Sequence, residues 1–343
     1  MRVLLTGGAG YIGSHTALVL LEAGYDVTVL DDFSNSSAES VARIEALTDR
    51  SVQTIACNLG DLREAAQALQ VIDFEAAIHL AGFKAVGESV KNPSAYYRNN
   101  IVSTLNLLDI LRAKNVRELV FSSSATVYGV PQTERIDESH PTGQGLTNPY
   151  GRSKAMIEQI IRDVHASWPD FKAVLLRYFN PVGAHESGRI GESPSGVPNN
   201  LMPYVAQVAA GQRESVKVFG DAYATPDGTG VRDYIHVMDL ADGHLAALQH
   251  LEPGVATYNL GSGIGYSVLD VIGAYAEASG KDVPYVITEP RAGDVSRVIA
   301  DPSRANQMLG WSAKRSLDDA CRDSWRWQKQ NPEGLQGRYT VAE

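Results

Sequence analysis

A chain of 343 residues with 44% hydrophobic and 20% charged content has the makeup of an ordinary globular protein, long enough for two packed domains. Its formal net charge of -10 argues against nucleic acid or an anionic membrane surface as partner, because either would need a basic face to gather phosphates. Cys57 and Cys321, the two cysteines, have neither metal-ligand spacing nor the density of a disulfide framework, so no metal site is expected and a reducing, cytoplasmic location fits.

The chain enters an apolar strand at residues 3–6 and reaches glycines at once, leaving no room for a signal peptide's apolar core. No apolar stretch approaches membrane-spanning length. Further strands are expected at 27–30, 52–56, 76–81, 119–123 and 174–178, with helix-period apolar positions at 12–23, 62–70, 95–113 and 150–166. That alternation predicts βαβ units with right-handed crossovers and a parallel sheet, and ligands bound beyond the carboxyl ends of its strands.

Gly7-Gly8-Ala9-Gly10-Tyr11-Ile12-Gly13 follows the first strand and opens a helix. Gly7, Gly10 and Gly13 fall where a chain must turn tightly, approach a pyrophosphate and pack closely, which marks a dinucleotide site. The second strand ends in Asp31-Asp32, where an acid accepts from ribose hydroxyls. Carboxylates there would repel a 2′-phosphate, so NAD is preferred over NADP, and a neutral residue at position 31 should relax that preference.

Tyr150 and Lys154, in Asn148-Pro149-Tyr150-Gly151-Arg152-Ser153-Lys154, stand one helical turn apart. At about 100° per residue they share a face with Ile157, Ile161 and Val164, while Arg152, Gln159, Arg162 and Asp163 point away, so the pair faces inward. A free tyrosine ionises near pH ~10, and use as a base at neutral pH needs a shift of roughly two to three units, or about 3–4 kcal/mol. A neighbouring ammonium and the positive end of a helix begun by Pro149, with Thr147 or Asn148 as cap, both favour the phenolate.

Beyond Asn180 the texture changes. Residues 183–200 are rich in Gly, Pro and Ser, and shorter elements follow near 216–219 and 284–287. A helical stretch at 237–248 and a strand at 257–260 read as a return to the sheet. The expectation is an α/β protein: a Rossmann-type doubly wound parallel sheet over residues 1–180 with a return segment near 234–261, and a smaller mixed α/β substrate-binding domain built mainly from 181–343.

Gly7-x-x-Gly10-x-x-Gly13, Ser122-Ser123-Ser124-Ala125-Thr126-Val127-Tyr128-Gly129 and Tyr150-x-x-x-Lys154 together resemble the extended short-chain dehydrogenase/reductase superfamily. More narrowly, the chain resembles the nucleotide-sugar epimerases acting at C4 of UDP-hexoses. The narrower likeness rests on Lys84-Ala85-Val86-Gly87-Glu88-Ser89, Leu176-Arg177-Tyr178-Phe179-Asn180-Pro181-Val182-Gly183-Ala184, Pro198-Asn199-Asn200-Leu201-Met202-Pro203 and Asp227-Gly228-Thr229-Gly230-Val231-Arg232-Asp233-Tyr234-Ile235-His236, which run through most of the chain.

The resemblance implies that Tyr150 removes the proton of the sugar's 4-hydroxyl while the C4 hydride passes to NAD. Lys154 would lower the phenol's pKa and hold the nicotinamide ribose, and Ser124 would bond the same sugar oxygen. The 4-keto sugar would then rotate and take hydride back on its other face, leaving NAD tightly bound. It further implies that Tyr11, Ile12, Asp31, Asp32, Asn35, Ser36, Asn58, Leu59, Leu80, Ala81, Gly82, Asn99, Ser122 and Tyr178 line the cofactor, with Lys84 approaching its phosphates. Phe179, Asn180, Asn200, Leu201, Phe219, Arg232, Arg291, Asp294 and Val298 would line the UDP-sugar, arginines on the diphosphate and an aromatic face on the uracil. Members of this family are commonly homodimers joined through the helices near 95–113 and 150–166.

Two positions depart from the pattern. Asn58 stands where an aspartate commonly faces the adenine amine, and an amide oxygen accepts that bond without charge. Val298 stands where some members carry a tyrosine beside the sugar's C2 substituent, which implies room for UDP-GlcNAc and UDP-GalNAc as well as the plain hexoses. A nucleotide-sugar 4,6-dehydratase shares the C4 oxidation but usually carries an acidic pair near the serine, whereas Ala125-Thr126 follow Ser124 here. A UDP-glucuronate decarboxylase finds no favouring feature. A non-catalytic NAD sensor could dispense with the Tyr, Lys and Ser set, all of which is present.

Overall fold

The structure, a computed structural model, describes residues 1–291 and 294–335. Ala292 and Gly293, and the last eight residues of the expected 181–343 domain, lie outside the described residues.

In chain order the elements are β1 (Arg2–Thr6), α1 (Tyr11–Glu22), β2 (Asp26–Asp31), α2 (Ala38–Thr48), β3 (Gln53–Ala56), α3 (Leu62–Leu69), β4 (Ala76–His79), α4 (Val86–Lys91) and α5 (Pro93–Tyr97). A π-helical turn (Arg98–Val102) leads into α6 (Ser103–Ala113), then β5 (Glu118–Ser124), a 3-10 turn (Ala125–Tyr128), β6 (Arg135–Ile136), α7 (Pro149–Ser167), β7 (Lys172–Tyr178) and β8 (Asn180–Val182). The remainder is α8 (Leu201–Ala209), β9 (Val216–Phe219), β10 (Val231–His236), α9 (Val237–Gln249), β11 (Gly254–Leu260), β12 (Gly265–Ser267), α10 (Val268–Ser279), β13 (Tyr285–Thr288), β14 (Arg297–Ala300), α11 (Ser303–Leu309) and α12 (Leu317–Gln330).

Seven strands form one parallel sheet in the order β3-β2-β1-β4-β5-β7-β11. The chain works outward from β1 to β3 and then resumes on the other side of β1 with β4, so the order reverses beside β1, where a parallel sheet leaves a crevice for ligand. The sheet is covered on both faces, which explains why its strands read as continuous apolar runs rather than alternating ones. Val3 and Leu5 pack with Leu18, Leu20, Ala241 and Leu248 of α1 and α9 on one face. Leu4, Leu119 and Phe121 point the other way, onto Leu107 and Leu111 of α6 and Ile157 and Ile161 of α7. The expected return to the sheet takes the form of β11, paired with β7 from Gly254↔Lys172 to Leu260↔Tyr178.

A second apolar cluster joins α8, α10, α12 and β9 through Val205, Val218, Tyr275 and Cys321. Above it, β10 pairs with β8, β12 and β14. Asp233, fully buried on β10, holds this region together: its carboxylate accepts from Ser262 N and Oγ, Gly263 N and Ala300 N at 2.8–3.1 Å. Those bonds tie the turn after β11 and the end of β14 to the strand that carries Arg232.

The continuous helix expected over 95–113 is broken into α5, the π turn and α6. The widened turn carries Asn100, whose side chain bonds Phe83 N and O at 2.8 and 3.1 Å and Ser153 Oγ at 3.1 Å, so the departure from regular helix ties the loop after β4 to α7. The strand expected over 76–81 ends at His79, and the chain turns away through Gly82 at φ 154°. Among the elements the periodicity does not announce are α2, α8, α10, α11 and α12. The polar face of α12 starts from a capping box between Ser316 and Asp319.

Asp233→Ala leaves buried backbone N–H groups without an acceptor and is expected to lower stability by about 2–4 kcal/mol, read by urea denaturation.

Candidate active site

Gly7 turns the chain at φ 71°, and a Cβ there would sit 2.7 Å from Ala81 N. A Cβ on Gly13 would sit 2.2 Å from Gly7 O, so the first turn of α1 lies directly on the loop and only hydrogen fits. Gly10 precedes the helix in extended geometry and no side chain caps the helix start, which leaves its N–H groups as an anion site. A cradle that a single Cβ would fill suits a pyrophosphate.

The acids at the end of β2 divide their work. Asp31 is buried, and its carboxylate accepts from Ala9 N at 3.0 Å, Phe33 N at 3.0 Å and Ser36 Oγ at 2.7 Å, bracing the glycine loop against β2. Burial still pushes its pKa up, with these three bonds opposing the shift. Asp32 is exposed and bonds Ser34 N and Oγ at 3.0 and 2.6 Å, and exposed Asn35 accepts from Ser195 Oγ at 2.7 Å. Asn58 accepts from Gly60 N at 2.8 Å, which leaves its amide oxygen a second lone pair. Leu59 is buried behind it, and its carbonyl accepts from Asn106 Nδ2 at 2.8 Å.

Leu80, Ala81 and Gly82 continue from β4 beside Gly7, with Ile12 half-buried on α1 and Asn99 half-buried in the π turn. Lys84 Nζ is 5.8 Å above the Tyr11 ring and donates to Glu192 Oε1 at 3.2 Å, and the Tyr11 hydroxyl donates to Gly183 O at 2.7 Å. Tyr178, buried on β7, bonds His244 through its hydroxyl.

At the carboxyl end of β5, the Ser124 side chain lies beside Tyr150 and favours its phenolate. Asn148, rather than Thr147, caps α7 by accepting from Gly151 N at 2.8 Å, with Pro149 at the first helical position. Ser124 also accepts from Thr126 N at 3.2 Å and Thr126 Oγ1 at 3.0 Å. Lys154 is buried, donates to Ser122 O at 2.6 Å and lies 4.8 Å over the Phe121 ring.

The electrostatics differ from the simple expectation. Burial pushes the Tyr150 phenol above its ordinary pKa, with Ser124 opposing, and pushes the Lys154 ammonium down to about 7, with the Glu158 carboxylate opposing. Desolvation therefore outweighs the cation's pull on the phenol, because the ammonium is turned to the Ser122 carbonyl.

The expected sugar-nucleotide residues form a second group. Arg232 on β10 pairs with Asp294, Arg291 Nη2 reaches Asp294 Oδ2 at 3.1 Å, and the Arg291 guanidinium lies 4.6 Å over the Phe219 ring. Val298 on β14 is the register partner of Arg232 and packs with Val127, Tyr128 and Phe179. Asn180 and Asn200 are exposed, and Leu201 opens α8. The Val298 cluster also takes in Ala125 and Ala155, so it reaches from β14 to the turn behind Ser124 and to α7.

The family model described as GDP-mannose 4,6 dehydratase matches residues 4–324. The UDP-glucose 4-epimerase of Mus musculus is 58% identical over 342 residues, covering 97% of this chain and 98% of its own length. That of Bacillus subtilis is 53% identical over 336 residues, again with 97% and 98% covered. The crystal structure of UDP-glucose 4-epimerase from Bifidobacterium longum in complex with NAD+ and UDP matches with a TM-score of 0.95 at 51% identity, over 98% of this chain and 100% of that one. The chain belongs to the UDP-glucose 4-epimerase family.

Within this epimerase-family chain, several residues around the site escaped the sequence reading. Glu192 is one: besides Lys84 it accepts from Asn200 Nδ2 at 2.8 Å, joining a residue of the expected cofactor set to one of the sugar set. Asn100 and Glu158 are others. Glu158 carried a detectable signal, an acid on the inward stripe of α7, whereas Glu192 sits in a Gly- and Pro-rich stretch with no period to read.

Gly13→Ala should force the loop off α1 and weaken NAD retention about tenfold to a hundredfold, seen as lost cofactor in the purified protein.

Proposed function

We propose that this protein epimerises UDP-hexoses at C4, interconverting UDP-galactose and UDP-glucose with NAD held throughout the cycle. The observation that carries this reading is Tyr150 beside Ser124 and buried Lys154, at the same carboxyl edge of the parallel sheet as the Gly7–Gly13 cradle. Bound NAD supplies a hydride acceptor and donor, and the protein supplies everything else. Gly7, Gly10 and Gly13 seat the pyrophosphate, Asp31 braces that loop, and exposed Asp32 takes the adenosine ribose.

Tyr150 takes the proton of the 4-hydroxyl as the C4 hydride leaves, and Ser124 bonds the same oxygen, so the sugar becomes a 4-keto sugar. After the sugar turns over, Tyr150 returns the proton and C4 regains hydride on its opposite face. A hydride and a proton leave the substrate and come back, with no net oxidation and no water lost. Because burial holds the phenol above its ordinary pKa, ionisation of Tyr150 depends on positive charge gathered around it once ligands are bound. Lys154 serves this by staying an ammonium and by holding the nicotinamide ribose.

Arg232 and Arg291 take the UDP diphosphate and Phe219 the uracil, the carboxylate of Asp294 holding both guanidinia in place beforehand. Phe179, Asn180, Asn200, Leu201 and Val298 wall the sugar. Val298 is half-buried and short, which supports acceptance of N-acetylated UDP-hexoses. The smaller domain is built mainly from residues beyond 181, with β11 and α9 returned to the large one. Two copies pair through α6 and α7, where Leu105 and Met156 are 42% and 47% exposed, and the enzyme works in the cytoplasm.

Purified protein should carry NAD and interconvert UDP-galactose and UDP-glucose without accumulating NADH; net NADH or dehydrated sugar in the assay would redirect the assignment. Tyr150→Phe is expected to lower kcat about 10²- to 10⁴-fold with NAD retained. UDP-GalNAc should also be converted, and UDP-galactose turnover with no UDP-GalNAc turnover would overturn the role given to Val298.

A further inference from the structure

The end of β5 and one face of α7 are joined residue by residue. Ser124 lies beside the Tyr150 phenol, Ser122 O accepts from Lys154 Nζ at 2.6 Å, and Ser123 Oγ donates to Glu158 Oε1 at 2.6 Å. Tyr150, Lys154 and Glu158 stand at successive four-residue steps on the helix, and the reaction proposed above uses only the first two. Glu158 is 3% exposed. Arg177 of β7 donates Nε to Oε1 at 2.9 Å and Nη2 to Oε2 at 2.6 Å, and Arg162 Nη2 lies 3.5 Å from Oε2.

A buried ion pair pinning α7 to β7 would account for Arg177 alone. It does not account for the Ser123 bond, nor for a carboxylate placed one turn beyond a lysine that donates to a carbonyl and lies over an aromatic face. We propose that Glu158 is a positioning residue of the epimerisation: through Ser123 it sets the register of α7 on β5, and its buried charge keeps Lys154 an ammonium. This rests on the roles given above to Tyr150 and Lys154.

The other groups facing this seam do not supply that charge. His79 of β4 is held neutral, burial and Lys154 together pushing it down to about 3. Burial pushes up the hydroxyls of Tyr178 on β7, Tyr96 on α5 and Tyr128 on the 3-10 turn, leaving them uncharged. Glu88 of α4 accepts from the Tyr96 hydroxyl at 3.0 Å. Arg177 and Arg162 are positive, and both pair with Glu158 itself.

The signs follow. Burial lowers the Lys154 pKa and Glu158 raises it, so without Glu158 the ammonium is lost at lower pH. The holoenzyme's alkaline limb of kcat/KM for UDP-galactose should therefore move down by about one pH unit in Glu158→Gln, and stay in place in Arg177→Met, which leaves the carboxylate one turn from Lys154. The double variant E158Q/R177M removes both buried charges, which protects folding, and should keep the downward shift. A merely structural ion pair would lower activity in both single variants and leave the limb in place. An alkaline limb in E158Q/R177M that coincides with wild type, or a limb that moves the same way in both single variants, overturns the proposal. Lys154→Met separates the two readings: full activity there sinks the role of Lys154 itself, whereas an inactive K154M beside an unmoved E158Q/R177M limb sinks only the inference about Glu158.

Discussion

The seam between the carboxyl end of β5 and α7 is the contact on which the rest of the site depends. Three consecutive serines meet three residues spaced four apart on a helix, a match that works only in one register. Ser122 meets the helix through its carbonyl and Ser123 through its hydroxyl, while Ser124, the last residue of the strand, lies beside Tyr150. Asn148 and Pro149 fix where α7 begins, and the apolar contacts of Ile157 and Ile161 press it onto the sheet. A slip along the helix would separate all three pairs at once.

The same seam is costly in charge. Burial raises the phenol and depresses the ammonium, both shifts opposing the ionised pair that proton abstraction requires. The protein answers by placing further charge inside: a carboxylate on α7, matched by a guanidinium on β7 that also takes the Tyr128 hydroxyl at 3.0 Å. Tyr128 in turn donates to Asn259 Oδ1 at 2.6 Å on β11, so the polar network spans three neighbouring strands of the sheet. A fully satisfied network of this kind holds a geometry more rigidly than apolar packing does.

Outside the seam, single carboxylates hold separate segments together. Asp31 braces the glycine loop, Asp233 gathers β10, β14 and the turn after β11, and Asp294 holds two arginines. Glu192 links Lys84 to Asn200 across the stretch that joins the two groups of expected ligand contacts. With a net charge of -10, the chain uses several of its acids as local connectors.

By itself the sequence determined the parallel sheet, the glycine cradle and the inward face of α7, because each is a local matter of period, backbone freedom and spacing. The seven strands and the Tyr150–Lys154 face were legible for that reason. Helices α8, α10 and α12 were not, since their apolar positions answer to partners brought in from distant segments. Only the tertiary structure decided that Lys154 turns to the Ser122 carbonyl, that Asp31 braces the loop while Asp32 stays exposed, and that the helix expected over 95–113 opens into a π turn at Asn100. Each of those outcomes depends on which donor or acceptor a fold places within hydrogen-bond reach, and on how far burial outweighs a neighbouring charge.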